Sequence, residues 1–199
     1  MIGKGKSISH GVAALEYDLA KEINGQAVAT EIARHELYGC TGAEMVQEMK
    51  PYHIDFPNVK NNCLRFEVSP SIEESATFTD ADWAELGNDF MQRMGLANHQ
   101  YIIIRHSGTE SKKEQAHLHI LANRVSLSGE LYRDNWIGKK ATEAANAIAK
   151  ERNFVQSQDI GKVNKAEIKE AMDGVLKKMQ GFDFTKFKEE LGKRGFKIG

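Results

Sequence analysis

Residues 117–125 read HLHILANRV, a run whose apolar content and β-branching mark a buried strand, yet it places two histidines one residue apart. On a strand, His117 and His119 point to one face with Asn123 further along it, while Leu118 and Ile120 face the other way. The stretch QYIIIRH, ending at His106, is a second β-branched strand, and the polar loop Ser107 to Gln115 joins the two as a hairpin. Pairing brings His106 toward His117 and His119. Three imidazoles spaced H-x10-H-x-H, two of them fixed on one strand, are a facial donor set for one divalent cation that leaves positions open for water or substrate oxygens. The remaining histidines, His10, His35, His53 and His99, are read as solvated surface residues.

Around this hairpin the pattern predicts a mixed chain. NNCLRFEVSPS alternates Leu64, Phe66 and Val68 with Arg65, Glu67 and Ser69, and Pro70 closes that strand. Thr79 with Asp82 three residues later caps a helix whose face carries Trp83, Leu86, Phe90 and Met94 before Gly95. TGAE at 41–44 is a capping box that opens a helix over 42–49, ended by Pro51. Val12, Leu15, Leu19 and Ile23 predict a helix over 11–23 with Tyr17 on its polar side, and a further helix is expected over 27–37. Later helices are expected at 136–150, at 164–179 with Ile168, Met172, Val175 and Met179 as core stripe, and at 185–192.

Length and 41% hydrophobic residues suit one domain spanning residues 1–199, in which 160–199 forms a helical, basic C-terminal part. That part holds ten Lys or Arg against six Asp or Glu, and the rest carries 17 against 22, so bulk charge does not favour polyanions while a local basic groove stays open. KRGFKIG, at the end, reads as a strand beginning, the mark of a domain cut from a longer protein. No apolar run approaches 18 residues and no secretory leader is visible, so a cytoplasmic protein is expected. Cys40 and Cys63 lack C-x-x-C spacing and receive no role.

The His-hydrophobic-His strand His117-Leu118-His119, a third histidine eleven residues before it, and a tyrosine in the first helix resemble the HUH endonucleases, in their conjugative relaxase or mobilisation branch. The resemblance implies an α/β (α+β) fold with a central antiparallel sheet flanked by helices. It also implies that His106, His117 and His119 bind a divalent ion, that Tyr17 attacks a phosphodiester to give a 5′-phosphotyrosyl intermediate, and that Asn123 belongs to the same motif. The carboxylate expected to assist is Glu67, with Asp18 and Glu110 behind it, because HSGTE delays the acidic residue that many relatives carry closer to the first histidine. Lys4, Lys6, Arg124, Lys193 and Arg194 are the expected DNA-backbone contacts.

Manganese or magnesium are the ions implied, with zinc, cobalt or nickel also suited to imidazole donors. The expected partners are single-stranded DNA at the transfer origin of a plasmid or mobile element, accessory mobilisation proteins and a coupling protein, with the chain itself a bacterial, cytoplasmic monomer. Rolling-circle replication initiators place their tyrosine after the histidine strand; here Tyr132 is followed by RDNW, without a lysine three residues on. The other readings are a three-histidine zinc hydrolase acting on a small substrate, which needs no tyrosine, and a noncatalytic DNA-binding module.

Overall fold

In the computed structural model, which describes residues 1–108 and 115–196, the chain opens with a strand, β1 (Ile2–Ile8), followed by α1 (Gly11–Leu19). Next come the short β2 (Glu22–Ile23) and β3 (Gln26–Ala27), then β4 (Ala29–His35), α2 (Gly42–Met49) and a 3-10 turn at Lys50–His53. β5 (Cys63–Ser69), α3 (Ile72–Ser75), α4 (Asp80–Arg93), β6 (His99–His106), β7 (His117–Ser126) and α5 (Ile137–Glu151) complete the first compact unit, Met1–Gln156. The second, Ser157–Gly199, contains α6 (Ser157–Leu176) and α7 (Phe184–Lys193). No helix among the described residues is long and apolar enough to cross a membrane.

Five strands form one antiparallel sheet in the order β1-β5-β7-β6-β4. Helices cover both faces. On one, Leu64, Phe66, Val68, Ile103, Leu118 and Ile120 bury against Trp83, Leu86 and Phe90 of α4 and the alanines of α5. On the other, Ile102, Ile104 and Leu121 bury with Leu15 of α1 and Met45, Val46 and Met49 of α2. Both capping boxes form as expected: the Thr41 and Thr79 side chains accept from the Glu44 and Asp82 amides, and those carboxylates accept in return from the cap amides.

Several elements depart from the pattern reading. The expected helix over 11–23 stops at Leu19, because Asn24 and Gly25, both at positive φ (54° and 75°), turn the chain into the β2–β3 hairpin. Its buried positions are Gly11, Ala14, Leu15 and Asp18, so Val12 lies outside the stripe. The helix expected over 27–37 is instead β4: pairing with β6, through a bulge between Glu31 and Ala33, outweighs the helical preference of its Ala and Glu residues.

β1 goes unrecognised in the sequence because its inward positions are Gly3 and Gly5 rather than apolar side chains. A Cβ at Gly3 would collide with the Ala141 carbonyl oxygen and lie 2.6 Å from the Ala145 Cβ, so glycine lets α5 lie directly on the strand. In the second unit, α6 starts at Ser157, and Ala171 and Val175 pack on Phe187 and Leu191 while Ile168 and Met172 stay exposed. The final strand expected at KRGFKIG is absent where described: Lys193 ends α7, Gly195 turns at φ 87°, and 197–199 lie outside the described residues.

The close approach of α5 to β1 makes Gly3→Ala an overpacking substitution. It should cost about 1–3 kcal/mol, read as a lowered urea midpoint; a midpoint equal to that of the unsubstituted chain would refute the contact.

Candidate metal and nucleophile site

The β6–β7 register sets His106 directly opposite His117 and Ile104 opposite His119, so all three imidazoles stand on the face covered by α1. Ring centroids lie 4.4 Å (His106–His119), 4.9 Å (His117–His119) and 5.4 Å (His106–His117) apart. One ring nitrogen from each falls within 4.8 Å of the others. His117 Nε2 and His119 Nε2 are 3.0 Å apart. Two nitrogens each about 2.1 Å from a shared ion would be separated by about 3.0–3.4 Å, so the donor pair fits a common cation.

Tautomers follow from the surrounding bonds. His117 Nδ1 donates to the Gln115 carbonyl at 3.1 Å and His106 Nε2 donates to the Asp18 carbonyl at 2.7 Å, which leaves a lone pair on the opposite nitrogen of each ring. His119 differs: its Nδ1 faces Arg65 Nη2 at 3.2 Å, and a guanidinium only donates. For His119 Nε2 to present a lone pair, the ring proton has to stand on Nδ1, where Asp18 Oδ1 lies 3.7 Å away. Burial, then the neighbouring His106 and His117, and then Arg65 and Lys4 push His119 down to about 2. Burial also lowers His106, partly offset by its bond to the Asp18 carbonyl. Rings held neutral are the form that ligates metal.

Asp18, 1% exposed, joins the cluster to α1, the helix that bears Tyr17. Its carboxylate takes Arg65 Nε at 3.0 Å and Nη2 at 2.5 Å, a bidentate pair between α1 and β5. Tyr17, the preceding residue, is 55% exposed, and Lys21 Nζ donates to its phenol oxygen at 2.6 Å. Glu67 lies opposite His119 in the β5–β7 register but is ion-paired with Lys4 at 2.9 Å. Among the described residues, the carboxylate within ion-pairing distance of the cluster is therefore Asp18. Glu110 lies outside the described residues. Lys4 and Lys6 line, with Arg65, Glu67 and His119, an open cavity of about 180 Å³ beside the histidines.

Other expected residues stand elsewhere. Asn123 is buried in a separate network, accepting from His53 Nε2 at 2.6 Å and donating to Gln100 Oε1 at 2.9 Å, with its carbonyl 2.9 Å from His99 Nδ1. His99 is buried and half-buried His35 stacks on Tyr101, so His35, His53 and His99 are not the solvated surface residues expected; only His10 of that group is exposed. The physical reason is that this end of the sheet encloses backbone carbonyls and the Asn123 amide, which the rings satisfy. Arg124 bonds the Asn61 and Tyr132 carbonyls and the Asp134 carboxylate. Lys193 pairs with Glu190, and Arg194 bonds the Ala171 carbonyl, both within the second unit.

Arg65 and Lys21 were absent from the sequence expectations. Their signals are weak: Lys21 lies four residues after Tyr17, and Arg65 alternates with Glu67 on a polar strand face.

Residues 17–154 match the family model described as the relaxase MobA/VirD2-like nuclease domain. Two solved structures are similar in fold. One, the conjugative relaxase TrwC in complex with oriT DNA in metal-free form, shares 10% identity over 80% of this chain and 70% of that one, with a TM-score of 0.46. The other, its metal-bound counterpart, shares 12% identity over 80% and 71%, with a TM-score of 0.43. No curated protein sequence matches the chain.

Two outcomes follow from this geometry. Unfolded histidine titrates near 6.5 while folded His119 sits at about 2, so as pH falls the unfolded chain takes the proton first. Stability should hold above about pH 7 and decline below it, by up to about 1.4 kcal/mol per pH unit for each such ring. His119→Gln should flatten urea midpoints measured between pH 7 and 5; an unchanged slope would contradict it. Asp18→Ala, which strands Arg65, should cost somewhat less than the roughly 3–5 kcal/mol of a fully buried pair, since Arg65 keeps partial exposure; an unchanged melting temperature would show the pair to be neutral.

Proposed function

Because the chain belongs to the relaxase family, as a MobA/VirD2-like nuclease domain, we propose that it nicks and rejoins one DNA strand at a transfer origin through Tyr17, with a divalent cation held by His106, His117 and His119. The observation that carries this reading is the convergence of three imidazoles on one sheet face, tied through Asp18 to the helix bearing an exposed tyrosine. A bound cation would supply Lewis-acid charge at the nonbridging phosphate oxygens. Manganese or magnesium are the working ions proposed, with zinc, cobalt or nickel accepted by the same donors.

The chain's own residues do the rest. Tyr17 Oη forms a bond to phosphorus as the bond from phosphorus to the 3′ oxygen breaks, and the phenol's proton passes through solvent to that oxygen. A phenol ordinarily titrates near pH 10 and is a weak nucleophile; Lys21, donating to Oη, places a positive charge beside the oxygen that reacts. Asp18 stands beside the His119 Nδ1 and, paired with Arg65, holds α1 against the sheet. Because the phosphotyrosyl ester conserves the energy of the broken linkage, a 3′ hydroxyl can reverse the step, and the enzyme rejoins as well as cuts. Glu67, opposite His119, remains a proposed assisting carboxylate, acting once Lys4 turns to phosphate.

The substrate is single-stranded or extruded DNA, because the phosphate has to lie against the sheet. Lys4, Lys6 and Arg124 meet its backbone, and Asn123, through its bonds to His53 and Gln100, braces the strand that carries the histidines. The nicking domain is taken as residues 1–199, with Lys193 and Arg194 in its basic C-terminal part as further backbone contacts. We place the protein in the bacterial cytoplasm, as a monomer, with accessory mobilisation proteins and a coupling protein as partners.

With manganese and labelled single-stranded oligonucleotides tiled across its own genetic neighbourhood, the protein should give a covalent protein-DNA band on a denaturing gel. Tyr17→Phe or chelator should abolish it, by at least about 100-fold, the lower scale of losing a covalent catalyst. Cleavage that survives Tyr17→Phe would replace this reading with metal-hydroxide hydrolysis, and binding without any adduct would replace it with a noncatalytic module.

A further inference from the structure

Trp136 stands at odds with its backbone. It adopts φ 58°, ψ 28°, the left-handed region that glycine or asparagine enters with least strain, yet carries the largest side chain there is. Its indole is 80% exposed, whereas Trp83 is 2% exposed in the core. A single exposed apolar residue is ordinary; one held in a strained conformation between fastened flanks is not.

The flanks are fastened on both sides. Asp134 accepts from Ser7 Oγ of β1 at 2.6 Å and from Arg124 Nη2 at 2.7 Å. The Ile137 amide donates to the Asp134 carbonyl at 3.0 Å, and the Ile137 side chain is buried. Lys140 Nζ donates to the Arg133 carbonyl at 2.8 Å and stands 5.0 Å over the Tyr132 ring. The turn is thus pinned to β1, and the indole loses little freedom when something stacks on it.

Its place in the sheet is informative. On the histidine face, His119 lies opposite Glu67 and Arg65 lies opposite Lys6, while Ser7, which shares the α5 side of β1 with Gly3 and Gly5, holds the Trp136 turn beside this edge strand. Lys6 and Arg133 are both exposed at this margin of the sheet. A phosphate backbone that leaves the histidines across Arg65 and Lys6 and passes over the β1 edge comes to the turn that carries Trp136.

Resting on the reading of the protein as a nicking enzyme, we propose that Trp136 is a stacking platform for one unpaired base of the bound strand, outside the nick itself. The occupant is a base of single-stranded DNA because the surrounding exposed cations suit phosphates and the bare ring face suits a nucleobase of any identity.

The test titrates the full chain with single-stranded oligonucleotides spanning the nick, following acrylamide quenching of indole emission, to which the exposed Trp136 contributes and the core Trp83 does not. DNA should protect the accessible indole. Trp136→Ala should weaken binding about 5- to 100-fold, the range for losing one stacked base, while Trp136→Phe should stay within about threefold. One abasic substitution at a fixed position should reproduce the loss and add nothing in the Trp136→Ala background. If Tyr17 still forms its adduct while quenching and affinity ignore Trp136, the stacking role is overturned and the nicking reading stands. If the protein neither binds single-stranded DNA nor forms the adduct, both fall. A concentration-dependent mass lost in Trp136→Ala without change in DNA affinity would make the indole a contact between copies and overturn the proposal.

Discussion

The register between β6 and β7 is the constraint on which the site depends. Side chains alternate with a period of two, so a slip of one residue would turn His117 and His119 to the face packed by α4 and α5 and bring Leu118 to the face covered by α1. What prevents the slip is not the histidines but the residues between them. Ile103, Leu118 and Ile120 are fully buried against α4 and α5, each worth about 1.5–3 kcal/mol on burial. Mis-registered pairing would forfeit them together. Core burial on one face thereby positions imidazoles on the other.

Charge on the histidine face is arranged with comparable economy. Neutral imidazoles contribute donors but no negative charge, and the nearby carboxylate, Asp18, is matched by Arg65. A cation held there would keep nearly its full charge for an anion that arrives, which suits a phosphodiester better than a site already neutralised by carboxylates. The Asp18–Arg65 pair also explains why a polar residue occupies the buried stripe of α1: position 18 is where the helix meets the sheet. Asp18, next to Tyr17 in sequence, therefore accepts from His106 through its carbonyl and stands 3.7 Å from the His119 ring through its carboxylate.

What the sequence disclosed, and what it hid, has a common physical origin. β5 alternates apolar and polar residues, β6 and β7 carry apolar, β-branched runs, and α2 and α4 carry capping boxes, so local chemistry and tertiary role agree there. β1 was hidden because close helix packing demands glycine at its inward positions, and glycine has no hydrophobic signature. β4 was hidden because Ala and Glu favour a helix while its partner β6 imposes a strand; the Asn24-Gly25 turn just before it was the missed clue. The three histidines were legible from spacing alone. Asp18 was visible as a candidate but ranked below Glu67, since nothing in a helix pattern says that a carboxylate on the apolar stripe will find an arginine on a strand. Asn123 shares the histidines' face, yet four residues along a strand carry it to a different set of partners.

The two margins of the sheet are finished differently. Along β1, α5 lies against the strand, and Thr142 Oγ1 donates to the Gly3 carbonyl. Along β4, a bulge interrupts the ladder, and Glu31 and Arg34 form an ion pair across it. A sheet border with free amides invites another chain to zip onto it, and charges and bulges discourage that. With one margin roofed and the other broken, the ladder has nowhere to grow. A protein built this way can be concentrated on a nucleic acid, where many copies crowd along one polymer, without its sheets fusing into a fibre.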